Sequence, residues 1–323
     1  MSKFWEDYPQ IVEELDNVNT LIKKRIQTRE KYIEESILPM VEGGGKMLRP
    51  AFLLLAGKFG NYAPEKMQNL AAVVEMLHLA TLVHDDIIDE AKLRRGCETI
   101  QSKYGKEYAV YIGDFLFCQC LLMLSEYDYT TENMRDLSKA IARICMSEIK
   151  QYSLRYAKNM NLRNYIRIIS GKTAALFAMS FYGGAKETQC DEKLARLLGK
   201  IGYQIGMAFQ IIDDLLDYKG DTALLGKSAQ RDLKRGYYTL PLIYALEKDK
   251  EKEIPQILAS CSFTNEEVEK IIQLVQKYDG LTKAQSVADR YVFKAFENIK
   301  KLPDCESKEV LSVVIPKLLQ RRY

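Results

Sequence analysis

Two acidic stretches, Asp85-Asp86-Ile87-Ile88-Asp89 and Asp213-Asp214-Leu215-Leu216-Asp217, carry the same DDxxD pattern. On a helix, Asp85 and Asp89 project from one face about one turn (~5.4 Å) apart, with Asp86 beside them. Asp213, Asp214 and Asp217 repeat the arrangement. Apolar pairs precede both clusters, Leu82-Val83 the first and Ile211-Ile212 the second. Carboxylates crowded into such surroundings repel one another and lose hydration unless cations neutralise them. Hard oxygen donors favour Mg²⁺, which keeps several waters and shares its shell with phosphate oxygens. The chemistry indicated is Mg²⁺-assisted handling of a diphosphate. A single DDxxD reads equally well as an acidic, solvated helix face. Two copies in apolar settings, each followed by basic residues, favour the chemical reading.

The basic residues are placed to serve such a ligand. Arg94 and Arg95 follow the first cluster, and arginine suits forked contacts with phosphate oxygens. Lys46 and Arg49 follow the glycines Gly43-Gly44-Gly45 and sit three apart on one helical turn. Lys172 and Thr173 offer an ammonium and a hydroxyl after Gly171. Lys227 follows the second cluster. Singly, such residues are most often solvated surface charges; their value is collective. The chain has two histidines, His78 and His84, both close to Asp85. His78 falls on the Asp85 side of its helix and is a candidate diphosphate contact, whereas His84 reads as structural. Neither has a partner at zinc-ligand spacing.

Rigid elements must hold these groups, and the pattern is helical almost throughout. Leu70, Val73, Leu77 and Ala80 recur at steps of three and four, as do Ile201, Ile205, Ala208, Ile212 and Leu215; each set predicts a helix buried on one face. Thr264-Asn265-Glu266-Glu267 predicts a capped helix start. Pro9, Pro39, Pro50, Pro64, Pro241, Pro255 and Pro303 are expected at helix boundaries, and Pro316 at a kink or the start of a last helix. With neither a short internal repeat nor a linker, the expectation is one all-α domain, residues 1–323, of about ten or more helices. A long central helix pair should enclose a deep cavity.

Composition narrows the classes. Of the 323 residues, 47% are hydrophobic and 28% charged, which excludes disorder. A net charge of +3 gives no argument for nucleic acid. The seven cysteines are scattered without a CxxC pair, predicting reduced cytoplasmic thiols and not a disulfide or zinc framework. Residues 1–10 are mixed and polar, unlike a signal peptide. Apolar runs such as Ala51 to Ala56 fall short of a membrane span.

The segment Glu75 to Asp89, with His78 and Arg94-Arg95-Gly96, resembles the first aspartate-rich motif of the trans-isoprenyl diphosphate synthases. Gly206 to Asp217, with Gln210, resembles the second. The likeness runs from about Lys46 to Ala245 and is strongest to bacterial medium- and long-chain synthases, foremost the catalytic subunits of heptaprenyl type. The resemblance implies an all-α fold of isoprenoid synthase type, with a central active-site cavity. It implies Mg²⁺ on Asp85, Asp89 and Asp213, with Asp86 and Asp217 assisting. It implies an allylic diphosphate on Arg94, Lys172, Thr173, Gln210 and Lys227, and isopentenyl diphosphate on Lys46, Arg49, His78 and Arg95. It also implies a homodimer, or a heteromer in which this chain is inactive without a small regulatory subunit.

Two positions depart from the family pattern. Met47 stands where an arginine is usual, with Arg49 retained. Tyr237 stands where many members have lysine, which removes a cation that Lys234 or Arg235 could replace. Ala80 and Thr81 lie just over one turn and one turn before Asp85. In short-chain members an aromatic residue at the position of Ala80 blocks the growing tail; alanine here predicts a product longer than fifteen carbons. A class I terpene cyclase would not need the second DDxxD or the second basic set. A non-catalytic subunit would be expected to have lost one acidic motif.

Overall fold

The computed structural model describes residues 3–43, 45–157, 159–219 and 231–319. Its chain forms α1 (Pro9–Ile26), α2 (Lys31–Glu42), α3 (Leu48–Gly57) and α4 (Pro64–Ile88), then a two-stranded hairpin, β1 (Leu93–Arg94) and β2 (Cys97–Glu98). There follow α5 (Ile100–Tyr104), α6 (Lys106–Ser125), α7 (Thr131–Ser153), α8 (Leu162–Ile169), a π turn (Ser170–Ala174), α9 (Ala175–Glu187) and α10 (Glu192–Lys219). The rest is α11 (Arg231–Lys234), α12 (Leu240–Lys248), α13 (Glu253–Leu258), α14 (Asn265–Lys277), α15 (Gly280–Ile299) and α16 (Glu306–Leu319). The fold is all-α, as expected. The contacts group the chain into two compact units, Met1–Arg135 with Ser180–Leu198, and Asp136–Met179 with Gly199–Tyr323.

In the first unit, α4 is the inner helix. Leu70, Val73, Leu77 and Ala80 are buried as the spacing predicts, but burial does not stop at one face: every residue from Asn69 to Leu77 is inside. A helix apolar on all sides belongs in the core. Asn69 is accommodated because its amide donates to Met123 O (2.9 Å) and Tyr129 Oη (3.2 Å). Phe52 of α3 stacks on Phe181 of α9 with centroids 4.9 Å apart. There a Cβ on Gly184 would lie 2.2 Å from the Leu53 carbonyl, so glycine permits the close approach. By length and composition α6 could cross a membrane. One face packs along α4, and Tyr111, Leu121 and Leu122 on it are exposed.

In the second unit, Ile201, Ile205, Ala208, Ile212 and Leu215 of α10 are buried. A further core gathers Tyr218, Leu242, Ile254, Val268, Ile271 and Val275. Thr264 and Glu267 form the predicted capping box at the start of α14. Pro9, Pro64 and Pro241 begin helices. Pro39 does not mark a boundary and lies within α2. It falls in the last turn on an exposed face, where water can satisfy the Glu35 carbonyl that loses its amide partner. Pro316 lies inside α16.

Candidate active site

In the first unit the acidic motif forms the last turn of α4. A step of one residue turns a helix by about 100°, so the neighbours Asp85 and Asp86 meet different surroundings. Asp85 and Asp89 are half-buried, whereas Asp86 is 4% exposed. The β1–β2 hairpin supplies its partner. Arg95 and Gly96 form the tight turn with φ of 51° and 81°, the left-handed pair that a two-residue hairpin demands. This folds Arg94 back onto α4. Its Nε donates to both Asp86 carboxylate oxygens at 2.9 Å and its Nη2 to Oδ1 at 2.7 Å. Burial opposes the charge on Arg94, but Asp86, then Asp85 and Asp89, raise its pKa overall. Arg94 is therefore a counter-ion of the whole motif.

The second basic set gathers about two to three turns earlier on α4, around His78 and Glu75. Glu75 is buried, and burial raises its pKa against the pull of Arg49 and Arg95. Arg49 is lowered to about 10 by burial, with Glu75 opposing and Arg95 adding to the shift; it is a cation at neutral pH. Burial, then Arg49, Arg95 and Arg94, hold His78 well below the ordinary imidazole pKa, so its ring is neutral and able to donate or accept. Gly45 lies close under the Arg95 guanidinium, whose Nη1 would be 2.6 Å from a Cβ there. Lys46 lies 5.0 Å from the Phe4 ring, and its carbonyl accepts from the Trp5 indole at 2.6 Å. His84 lies over Gly113 and against Phe117, at 3.4 Å from Asp114, in the structural role expected of it. A cavity of about 180 Å³ opens beside Asp86, Arg94 and Arg95, with Leu79, Leu82 and Met40 among its walls.

In the second unit Asp213 is exposed and Asp217 half-buried, while Asp214 is 4% exposed. Asp214 Oδ2 accepts from Tyr165 Oη at 2.6 Å, and Oδ1 from Gln210 Nε2 at 2.8 Å. Burial, then Asp232, pushes the Asp214 carboxyl well up, and the two donors oppose that shift. Thr173 Oγ1 donates to Gln210 Oε1 at 2.6 Å. Lys172 and Thr173 ride on the π turn, where one extra residue per turn re-aims the side chains that follow. Lys172 Nζ donates to Glu148 and Gln151 of α7, each at 2.9 Å. Beside Tyr237 the cation is Arg155: its guanidinium lies 5.4 Å from that ring centroid and its Nε donates to Arg235 O at 2.9 Å. Lys234 donates to Asn265 at 2.8 Å. Lys227 lies outside the described residues.

Both motifs thus share one build. The first and last carboxylates reach solvent about one turn apart, and the middle one is buried and anchored. The reachable pairs are hard oxygen donors that suit Mg²⁺, which completes its shell with water and phosphate. Among the described residues, no three His, Cys, Asp or Glu side chains form a ready-made cage; an ion bound chiefly through water and substrate needs none. Of the chain-length candidates, Thr81 is half-buried and Ala80 is 0% exposed. Glu75, Glu148, Gln151 and Tyr165 were not among the sequence candidates. Only Glu75 carried a signal, three residues before His78 on one face of α4.

A family model described as polyprenyl synthetase matches residues 30–278. Heptaprenyl diphosphate synthase component 2 of Bacillus subtilis is 35% identical over 321 residues, spanning 99% of this chain and 92% of that protein. The crystal structure of geranylgeranyl pyrophosphate synthase from Lactobacillus brevis superposes with a TM-score of 0.93 at 34% identity, covering 99% of both chains. A polyprenyl synthase from Caulobacter crescentus, crystallised with calcium and isoprenyl diphosphate, gives a TM-score of 0.90 at 30% identity, covering 98% of this chain and 97% of that one.

Proposed function

Because the chain belongs to the polyprenyl synthetase family and is a prenyltransferase, we propose that it elongates an allylic diphosphate by head-to-tail condensation with isopentenyl diphosphate, to products longer than fifteen carbons. The observation that carries this reading is the common build of the two motifs: reachable outer carboxylates steadied by a buried, anchored one. Asp85, Asp89, Asp213 and Asp217 would hold Mg²⁺, which when bound would supply positive charge to the departing diphosphate. In this reading the ions serve the allylic diphosphate. Lys172, Thr173, Gln210 and Lys227 bind that group, and Arg94 adds charge while anchoring Asp86. Lys46, Arg49, neutral His78 and Arg95 bind isopentenyl diphosphate.

The allylic C–O bond breaks and its electron pair leaves with diphosphate. The double bond of isopentenyl diphosphate then attacks the allylic cation, forming the new C–C bond. The proton lost from the adjacent carbon passes to the released diphosphate. Water must be kept from the reacting atoms, because it would otherwise capture the cation. The Caulobacter protein's complex with calcium and isoprenyl diphosphate supports a divalent ion in this role. The seven free thiols fit a cytoplasmic setting, and residues 1–323 act as one domain. The name component 2 in the Bacillus relative supports a partner component, which this reading takes to be a small subunit.

The direct test is incubation of the purified chain with Mg²⁺, labelled isopentenyl diphosphate and geranyl or farnesyl diphosphate, with products resolved by length. Labelled products beyond fifteen carbons are expected, and chelation should abolish them. Failure of incorporation both alone and with a co-expressed small partner would sink the reading.

Chain length gives a second test. Thr81 keeps accessible surface, so Thr81→Phe should shorten the product distribution with little change in melting temperature. Ala80 is enclosed, so Ala80→Tyr should first overpack the core and cost about 1–3 kcal/mol of stability. Unchanged products in both variants would show that this turn of α4 does not border the tail.

A further inference from the structure

Asp214 is buried, and both of its oxygens accept bonds, from Tyr165 and from Gln210. The Gln210 amide is fixed at its other end, since Oε1 receives the Thr173 hydroxyl proton. Its orientation follows from these bonds: Oε1 faces a donor and Nε2 faces an acceptor. Thr173, Gln210 and Tyr165 thus form one directed chain in which each proton points along the path to Asp214. Tyr165 sits on α8, 3% exposed, with its phenol pKa held well up by burial and by Asp214, so it stays a donor. It is separated from Asp214 by 49 residues of sequence, and its hydroxyl reaches neither outer carboxylate of the motif through any bond described above.

We propose that Tyr165 is a positioning residue of the allylic-diphosphate site. Its hydroxyl fixes the Asp214 carboxylate, which fixes the Gln210 amide and through it the Thr173 hydroxyl. This rests on the reading that Gln210 and Thr173 serve the allylic diphosphate. Without the phenol O–H, one oxygen of a buried carboxylate loses its donor, and the carboxylate can turn toward other donors. The Gln210 amide is then free to rotate, and the two groups that grip the diphosphate lose their common alignment. The isopentenyl diphosphate set, read as Lys46, Arg49, His78 and Arg95, is made of other residues and should not feel the change.

The test uses the full chain with Tyr165→Phe, which keeps the ring and its packing and removes only the oxygen. Calorimetric titration with an unreactive allylic thiodiphosphate in the presence of Mg²⁺ should show affinity lower by about 10- to 100-fold, the range for residues that orient ligand-binding groups. Isopentenyl diphosphate titrated into the same sample should bind as it does to wild type. In turnover, KM for the allylic substrate should rise and KM for isopentenyl diphosphate stay unchanged. Asp214→Asn is the second variant. Its amide can accept from Tyr165 but sets N–H against the Gln210 N–H, so it should reproduce the allylic defect. The double variant should be no worse than Asp214→Asn alone, as for members of one network. Wild-type allylic affinity in Tyr165→Phe would overturn the proposal. So would equal losses for both diphosphates with a lowered melting temperature, which would make Tyr165 a packing residue. Wild-type protein that binds neither diphosphate would overturn the functional reading itself and the proposal with it.

Discussion

Asp85→Asn is expected to lower incorporation of isopentenyl diphosphate by about 100- to 1,000-fold, the cost of removing one preorganised electrostatic group from a site where charge develops. The substitution keeps the shape of the side chain and removes its charge. Asp85 is half-buried at the end of α4 and adds to the field that keeps Arg94 charged. It is not the residue that Arg94 grips, so the melting temperature should hardly move. Asp86→Asn should behave differently. There the asparagine leaves a largely buried guanidinium without its bonded counter-charge, and about 3 kcal/mol of stability should go with the activity. Rates with saturating primer, together with melting curves for both variants, separate the roles. An Asp85→Asn enzyme within threefold of wild type would remove Asp85 from the metal-binding set.

The second large effect is expected from a residue with no side chain. A Cβ on Gly171 would lie 1.7 Å from Ser147 Oγ, 2.7 Å from Ser147 Cβ and 3.0 Å from the Arg143 carbonyl. The π turn is pressed against α7 at that point, and Lys172 and Thr173 are the next two residues. Gly171→Ala must push the turn away from α7. Overpacking of this kind costs about 1–3 kcal/mol, and the upper end is expected because a backbone carbonyl is among the obstacles. A displacement of about 1 Å in positioning groups lowers turnover by roughly 100-fold. The partner substitution Ser147→Gly removes both Ser147 atoms from the overlap. The pair Gly171→Ala and Ser147→Gly should regain most of the lost activity, less about 1 kcal/mol for glycine inside α7. Melting curves and turnover of the three variants decide it. Equal activity of Gly171→Ala and wild type would mean that the turn does not need this contact.

The features most legible in the sequence were those written in short-range periodicity. The three-and-four spacing located α4 and α10, and Thr264 with Glu267 marked the start of α14. Burial all around α4 was harder to see, because Asn69 and Glu75 interrupt the apolar run and read as a polar face. Asn69 is inside because Met123 and Tyr129, distant in sequence, bond its amide, and Glu75 because the charges of Arg49 and Arg95 lie near it. The hairpin escaped because two residues per strand leave no alternation to detect; Arg95-Gly96 was its only mark. Pro39 misled because a proline in the last turn of an exposed helix costs little. The acidic motifs were plain, and a helix turn of about 100° per residue already separates neighbouring aspartates onto different faces. What no spacing encodes is which partner waits on the inner face. Arg94 reaches Asp86 through a tight turn, and Tyr165 reaches Asp214 across α8 and α10. Arg155 beside Tyr237 is another case. The departure at Tyr237 was visible, but the neighbouring cation comes from the chain just beyond α7.

The complete burial of Asn69 to Leu77 has a consequence for how α4 moves. Its middle amides can exchange with solvent only when the core itself opens, so that stretch belongs to the most stable cooperative part of its unit. Eight residues on, the same helix ends at half-buried Asp85 and Asp89, with the hairpin on Asp86 and α6 against His84. A gradient of local stability therefore runs along one continuous rod. The buried end keeps its register, and so any local opening of the last turn returns the carboxylates to the same place.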